Sequence, residues 1–65
     1  QAWHGTDRQV RGAVLQLLRD APRALSRTAL ADAGPDAGQL DRCIASLVED
    51  GLVEPVADAH FRLPH

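Results

Sequence analysis

The chemistry this chain has to offer is carried by arginine, since seven Arg stand with no Lys at all. Arg8 and Arg11 flank the start of the first helical stretch, and Arg19, Arg23 and Arg27 cluster near its end. A guanidinium is permanently charged and presents its donors in a rigid fork, so such clusters suit phosphate or an acidic neighbour. The competing reading is a solvated face, with Asp7 and Arg11 an i,i+4 pair worth only about a few tenths of a kcal/mol. Farther along, Gln39 and Arg42 are side-chain types that hydrogen-bond base edges in a major groove. Against that, Gln39 suits a helix cap and Arg42 suits solvent, and the charge balance below favours this plainer reading.

Enzymatic constellations are harder to find. His4, His60, His65 and Cys43 lack the spacing of a metal site. Cys43 falls on an apolar helix stripe, where a buried and inert thiol is expected. Glu49, Asp50 and Glu54 lie around a helix end and a strand, with no cleft to perturb a catalytic carboxyl. Ser26, Thr28 and Ser46 have no His placed to activate them. The chain itself is therefore read as non-catalytic.

These residues must be positioned by short elements. Gln1 to Gly5 reads as a linker or docking segment, with Trp3 its only large apolar group, and 6–65 as the folded domain. Thr6-Asp7-Arg8-Gln9 is a capping box, and Val10, Val14, Leu17 and Leu18 recur on one face of a helix ending near Asp20, before Pro22. Gly12 inside that helix costs about 1 kcal/mol against Ala, which points to close packing by another surface. With Trp3 it is a docking candidate.

Ser26 suits the cap of a second helix from Arg27 to about Ala33, with Leu25, Ala29 and Leu30 inward and Gly34 as a left-handed C-terminal cap. Asp36 and Gln39 form a second capping box for a third helix, striped by Leu40, Cys43, Ile44, Leu47 and Val48 and stopped at Gly51. Two strand-like runs follow, Leu52–Val56 and His60–Leu63. A three-residue connection pairs Glu54 with Arg62 and puts Val53, Phe61 and Leu63 on one face. A two-residue Asp58-Ala59 turn is the less favoured register, because Ala suits positive φ poorly. Pro55 confines its strand to an edge or bulge. Three helices followed by a β-hairpin wing make an α+β winged helix-turn-helix.

That shape suggests the third helix in a DNA major groove. The charges disagree. Residues 1–33 carry five Arg and three acids, whereas 34–65 carry two Arg and six acids. The third helix presents mostly carboxylates, which repel phosphate, so it is a poor reader of duplex.

Composition sets the outer bounds. Sixty-five residues, 45% apolar and 25% charged, fit one small ordered domain rather than a disordered tail. No apolar run approaches the ~20 residues of a membrane span, and no signal-peptide pattern is visible. One Cys excludes an internal disulfide framework and a multi-Cys metal site, and suggests an intracellular protein. The start at Gln1, with no Met in the chain, suggests a piece of something longer.

The opening Gln1-Ala2-Trp3-His4-Gly5-Thr6-Asp7-Arg8-Gln9-Val10-Arg11-Gly12 resembles the segment after the iron–sulfur cluster loop in A/G-specific adenine DNA glycosylases of GC-rich bacteria. The run Ser46–Val56 looks like the end of the same proteins. The resemblance covers nearly the whole chain. It implies a parent repair enzyme that flips out and excises adenine mispaired with 8-oxoguanine, using a helix-hairpin-helix domain and a 4Fe-4S cluster upstream of Gln1. Better-known relatives end in a nudix-like domain, for which this chain is too short. It also departs at Ala59, where the wing turn of similar sequences tends to have Gly.

The expectation is then a C-terminal winged-helix module that docks on the parent's catalytic domain through Trp3 and the first helix. Double-stranded DNA is a further partner, held by Arg8 and Arg11. The protein is expected in the bacterial cytoplasm, nucleoid-associated if it binds DNA. The competing functions are a transcription regulator's reading domain, which requires a basic third helix, and a protein-interaction winged helix, which requires no affinity for duplex.

Overall fold

The computed structural model describes residues 5–64. Along the chain run α1 (Asp7–Asp20), β1 (Leu25–Ser26), a 3-10 helix (Ala29–Ala33), α2 (Ala37–Glu49), β2 (Glu54–Val56) and β3 (His60–Arg62). The expected Trp3 docking group, His4 and His65 lie outside the described residues.

Helix α1 forms where its cap and its periodicity agree. Thr6 Oγ1 accepts the Gln9 backbone N–H at 3.1 Å, and Gln9 Oε1 accepts the Thr6 N–H at 3.0 Å, so the capping box is complete. Val10, Val14 and Leu18 are buried on its inner face. The helix stops because Ala21 precedes Pro22, whose ring disfavours helical backbone on the residue before it. Ala21 is extended, yet its N–H still closes on the Leu17 carbonyl at 3.1 Å.

The second helix is not an α-helix. Between Ser26 and Gly34-Pro35 there are too few residues to repay α-helix nucleation, and the chain tightens into five residues of 3-10 helix. Ser26 still caps the turn, its Oγ accepting the Ala29 N–H at 3.0 Å. Leu25, expected to face inward, and Ser26, expected as the cap, also form β1 and pair with Phe61 and His60 of β3. The expected left-handed Gly34 is also corrected, since its backbone is extended at φ −174. What distinguishes the position is closeness: a Cβ would stand 3.3 Å from Val10 Cγ2, so Val10 would have to give way by a few tenths of an ångström.

At α2, Asp36 Oδ1 accepts the Gln39 N–H at 2.9 Å, as the sequence implies. The reciprocal half of that second capping box is missing, because the Gln39 side chain is drawn to α1 instead. The helix ends in a Schellman-type cap. Gly51 takes φ +79, the Leu52 N–H reaches the Leu47 carbonyl at 2.9 Å, and the Gly51 N–H reaches Val48 at 3.0 Å.

The three strands are antiparallel in the order β1-β3-β2. Glu54 faces Arg62, Pro55 faces Phe61 and Val56 faces His60, which is the three-residue register expected. Pro55 sits on the edge strand, where its missing N–H leaves no gap in the ladder. The connection nevertheless bends through two left-handed residues, Asp58 at φ 61 and Ala59 at φ 56. Ala59 thus adopts the conformation that was the reason for disfavouring the shorter turn. Its carbonyl accepts the Arg27 N–H at 2.9 Å, tying the hairpin to the turn after β1.

One core unites the elements. Val10, Val14 and Leu18 of α1 meet Leu30 of the 3-10 helix, Leu40, Cys43, Ile44 and Leu47 of α2, and Val53 before β2. Each fully buried Val or Leu contributes roughly 1.5–3 kcal/mol. Phe61 and Leu63 lie against that core from the sheet.

Candidate nucleic-acid interface

The residues nominated for DNA divide sharply. Arg11 reaches from α1 across to α2, donating Nη1 to Ser46 Oγ at 2.5 Å and Nη2 to Asp50 Oδ2 at 2.8 Å. Both terminal nitrogens of its fork are engaged by α2 in a partly exposed pair, and the expected i,i+4 partnership with Asp7 does not form. Asp7 is taken up by α2: Gln39 Nε2 donates to Asp7 Oδ1 at 2.9 Å and to the Gly5 carbonyl at 2.7 Å. Arg42 Nη2 lies 3.9 Å from the same carboxylate with an exposed side chain. Arg8 is exposed and makes no ion pair among the described residues.

Gly12 meets nothing within the chain. It is exposed, and apart from its own stretch of helix no described atom lies within 4 Å of where its Cβ would stand. The helix thus presents a bare backbone patch at this point.

The exposed charged positions of helix α2 and its caps carry mostly carboxylates, as read from the sequence, with Arg42 exposed among them and with Asp41 and Asp50 paired to Arg27 and Arg11. Asp36, Asp41, Glu49 and Asp50 are all exposed along it. Arg27 is held against this face, with Nε 2.5 Å from Asp41 Oδ1 and Nη2 3.3 Å from the Ala37 carbonyl. Arg62 is bound across the hairpin to Glu54 Oε1 at 2.5 Å.

Cys43 is buried, its Sγ 3.6 Å from the Asp7 carbonyl. Burial pushes the thiol above its ordinary value, and Asp7 adds to that, while Arg42 and Arg11 oppose it. Such a thiol is a poor nucleophile and a poor metal ligand. No cluster of three or more His, Cys, Asp or Glu able to hold a metal occurs among the described residues. No helix among them is long and apolar enough to cross a membrane.

Among the described residues, hollows lie on both sides of the sheet. One, about 610 Å³, lies between α2 and the hairpin and is floored by Ile44, Ala45, Val48, Pro55, Ala59 and Phe61. The Arg27–Asp41 pair stands at its rim. The other, about 540 Å³, lies between the end of α1 and the other side of the hairpin, where Arg19, Arg23 and Arg62 come together. Sequence reasoning grouped Arg19 and Arg23 with Arg27, their neighbour in the chain. The fold turns Arg27 away toward α2 and brings in Arg62 from β3. Only the hairpin register carried any hint of where Arg62 points.

Comparison with known proteins gives a consistent likeness. The chain is 47% identical over 64 residues to an adenine DNA glycosylase of Mycolicibacterium smegmatis, covering 97% of the chain and 22% of that relative. It is 46% identical over 65 residues to adenine DNA glycosylases of two Mycobacterium tuberculosis strains, covering 98% of the chain and 21% of each. The chain thus spans about a fifth of the length of the curated relatives it matches. No family model and no solved structure matches it.

Proposed function

We propose that this chain is a non-catalytic, C-terminal winged-helix module of an adenine DNA glycosylase, helping a base-excision repair enzyme hold duplex carrying adenine opposite 8-oxoguanine. The observation that carries this reading is the likeness to mycobacterial adenine DNA glycosylases along nearly the whole chain. The order helix, strand, short 3-10 turn, helix and hairpin, with β1 closing the sheet, supports a winged helix whose second helix is reduced. The parent acts in the cytoplasm, at the nucleoid.

The 4Fe-4S cluster implied by the resemblance does not fit the residues here, because one buried thiol cannot replace a four-Cys ligand set. Cluster and base chemistry belong to the parent's catalytic domain. This module contributes a docked surface, with Trp3 and the bare patch at Gly12 as its contacts to that domain.

The regulator alternative is disfavoured by the carboxylates along α2, which stand where a reading helix needs positive charge. A protein-interaction winged helix is favoured by one observation, the apolar hollow between α2 and the hairpin. Deleting residues 6–65 from the parent separates these readings. The expected result is an unchanged single-turnover excision rate at saturating enzyme, together with weaker duplex binding. Loss of excision at saturation would place chemistry in this module. Unchanged duplex binding would leave it a protein-docking element.

A further inference from the structure

The seven arginines fall into two groups once the chain is folded. Arg11, Arg27, Arg42 and Arg62 each face a carboxylate. Arg8, Arg19 and Arg23 make no ion pair among the described residues. Two of these three, Arg19 and Arg23, line the same hollow beside Arg62. A smaller depression shares Arg23, Ala24 and Val56 and runs on past the Asp58 carboxylate to His60, so the hollow continues along the hairpin but its positive charge is confined to the Arg19–Arg23 end.

We propose that this hollow is a contact for the phosphodiester backbone of DNA, with Arg19 and Arg23 binding phosphate oxygens and Arg62 at the rim. Its floor is Leu18, Val56 and Leu63. That combination matches a nucleic-acid backbone, whose charged phosphates alternate with the apolar faces of deoxyribose. Arg19 is oriented without being neutralised: its Nη1 donates to Gln16 Oε1 at 3.2 Å, and Gln16 Nε2 is held by Asp20 Oδ1 at 2.9 Å. Arg23 directly follows Pro22, whose ring fixes the backbone leading into it. Glu54 offsets Arg62, so the net positive charge rests on Arg19 and Arg23.

The location matters for how the module sits on duplex. A reading helix-turn-helix places its last helix in the major groove. Here that helix, α2, carries the exposed carboxylates, and the unpaired guanidiniums lie at the far end of α1. The duplex therefore runs past the α1 end and the hairpin. Backbone contacts of this kind add affinity without reading sequence.

The inference rests on the glycosylase-module reading, and its test keeps the two apart. Duplex binding by the parent protein is measured by fluorescence anisotropy from about 50 to 200 mM salt. The proteins compared are the unaltered parent, the R19A/R23A variant, the R19K/R23K variant and the parent lacking residues 6–65. Removing both guanidiniums lowers the slope of log affinity against log salt by about 2, equally for matched and mispaired duplex, and the Lys variant restores it. If deletion weakens binding while R19A/R23A keeps the full slope, the hollow is not the contact and the module's DNA role stands. If deletion itself leaves binding unchanged, the DNA-holding reading fails with it. A loss confined to mispaired duplex would overturn a backbone contact in favour of lesion recognition.

Discussion

Arg11 and Asp50 join α1 to the end of α2 at 2.8 Å, across thirty-nine positions of sequence. The same guanidinium also donates to Ser46, so one side chain spans the last turns of α2 and holds the two long helices in register. Asp7 makes the complementary clamp at the other end, accepting from Gln39 with Arg42 nearby.

R11A should lower stability by about 1 kcal/mol, since it removes two side-chain hydrogen bonds from partners that remain largely wetted. A double-mutant cycle with D50A should return a coupling of about 0.5 kcal/mol, shrinking as salt is added. Chemical denaturation of the four proteins checks both values. A coupling near zero at low salt would make the pair incidental, and a drop in DNA salt slope for R11A would return that residue to the phosphate contacts.

The hairpin carries a second testable feature. Ala59 holds φ 56 on a residue with a Cβ, a conformation that costs roughly 1–2 kcal/mol for an L-residue. Its neighbour Asp58 is also left-handed, but an Asp side chain tolerates that region better. A59G should stabilise the chain by up to about 1 kcal/mol after the extra freedom of the unfolded glycine is counted. In a domain of this size that raises Tm by about 4–8 °C. G51A should act in the opposite direction, because Gly51 holds φ +79 in the cap of α2. Thermal melts of both variants decide the matter, and a lower Tm for A59G would show that the loop does not carry this strain.

How much of this was legible beforehand depended on length and separation. The two long helices announced themselves, because Thr6–Gln9 and Asp36–Gln39 caps preceded apolar stripes of more than two turns. The hairpin register was reached by disfavouring a positive φ at Ala59, and it holds although Ala59 takes φ 56 all the same. By contrast, β1 is two residues long and offers no alternation to read. The 3-10 helix has cap and apolar residues like an α-helix, and only its brevity distinguishes it. Partner choice was the least legible layer. Asp7 and Arg11 are ideal neighbours within a helix, yet each is claimed by α2, and nothing local records that. The hollow shared by Arg19, Arg23 and Arg62 arises only after the hairpin folds back toward α1.

Gly34 gives a prediction about packing rather than backbone freedom. Its φ of −174 is open to any residue, and the obstacle is Val10 Cγ2, 3.3 Å from the site of a Cβ. Val10 is itself fully buried and has little room to withdraw. G34A should therefore destabilise by about 1–2 kcal/mol through overpacking. Combined with V10A, whose missing methyl groups vacate that space, it should cost clearly less than the sum of the two single changes. Strict additivity in urea denaturation would mean the two residues do not press on each other.

Cys43 supplies a pH signature with little interference. The chain has no Lys and no Tyr, so Cys43 is the one side chain that titrates between about pH 8 and pH 11. Burial, reinforced by Asp7, raises its folded value above the ordinary 9.0. The folded state therefore keeps a proton that the unfolded chain releases as the solution becomes alkaline. By linkage, this contribution to stability is fully present below about pH 8 and is lost as pH rises through the unfolded and then the folded value. Urea midpoints should be level between about pH 7 and 8 and decline steadily beyond pH 9, whereas C43A should be flat over the same alkaline range. The native thiol should also react slowly with a disulfide reagent at about pH 8 and quickly once urea opens the core. A rapid native reaction would mean that the seam between α1 and α2 opens around Cys43, and an alkaline decline persisting in C43A would trace the loss of stability to some other group.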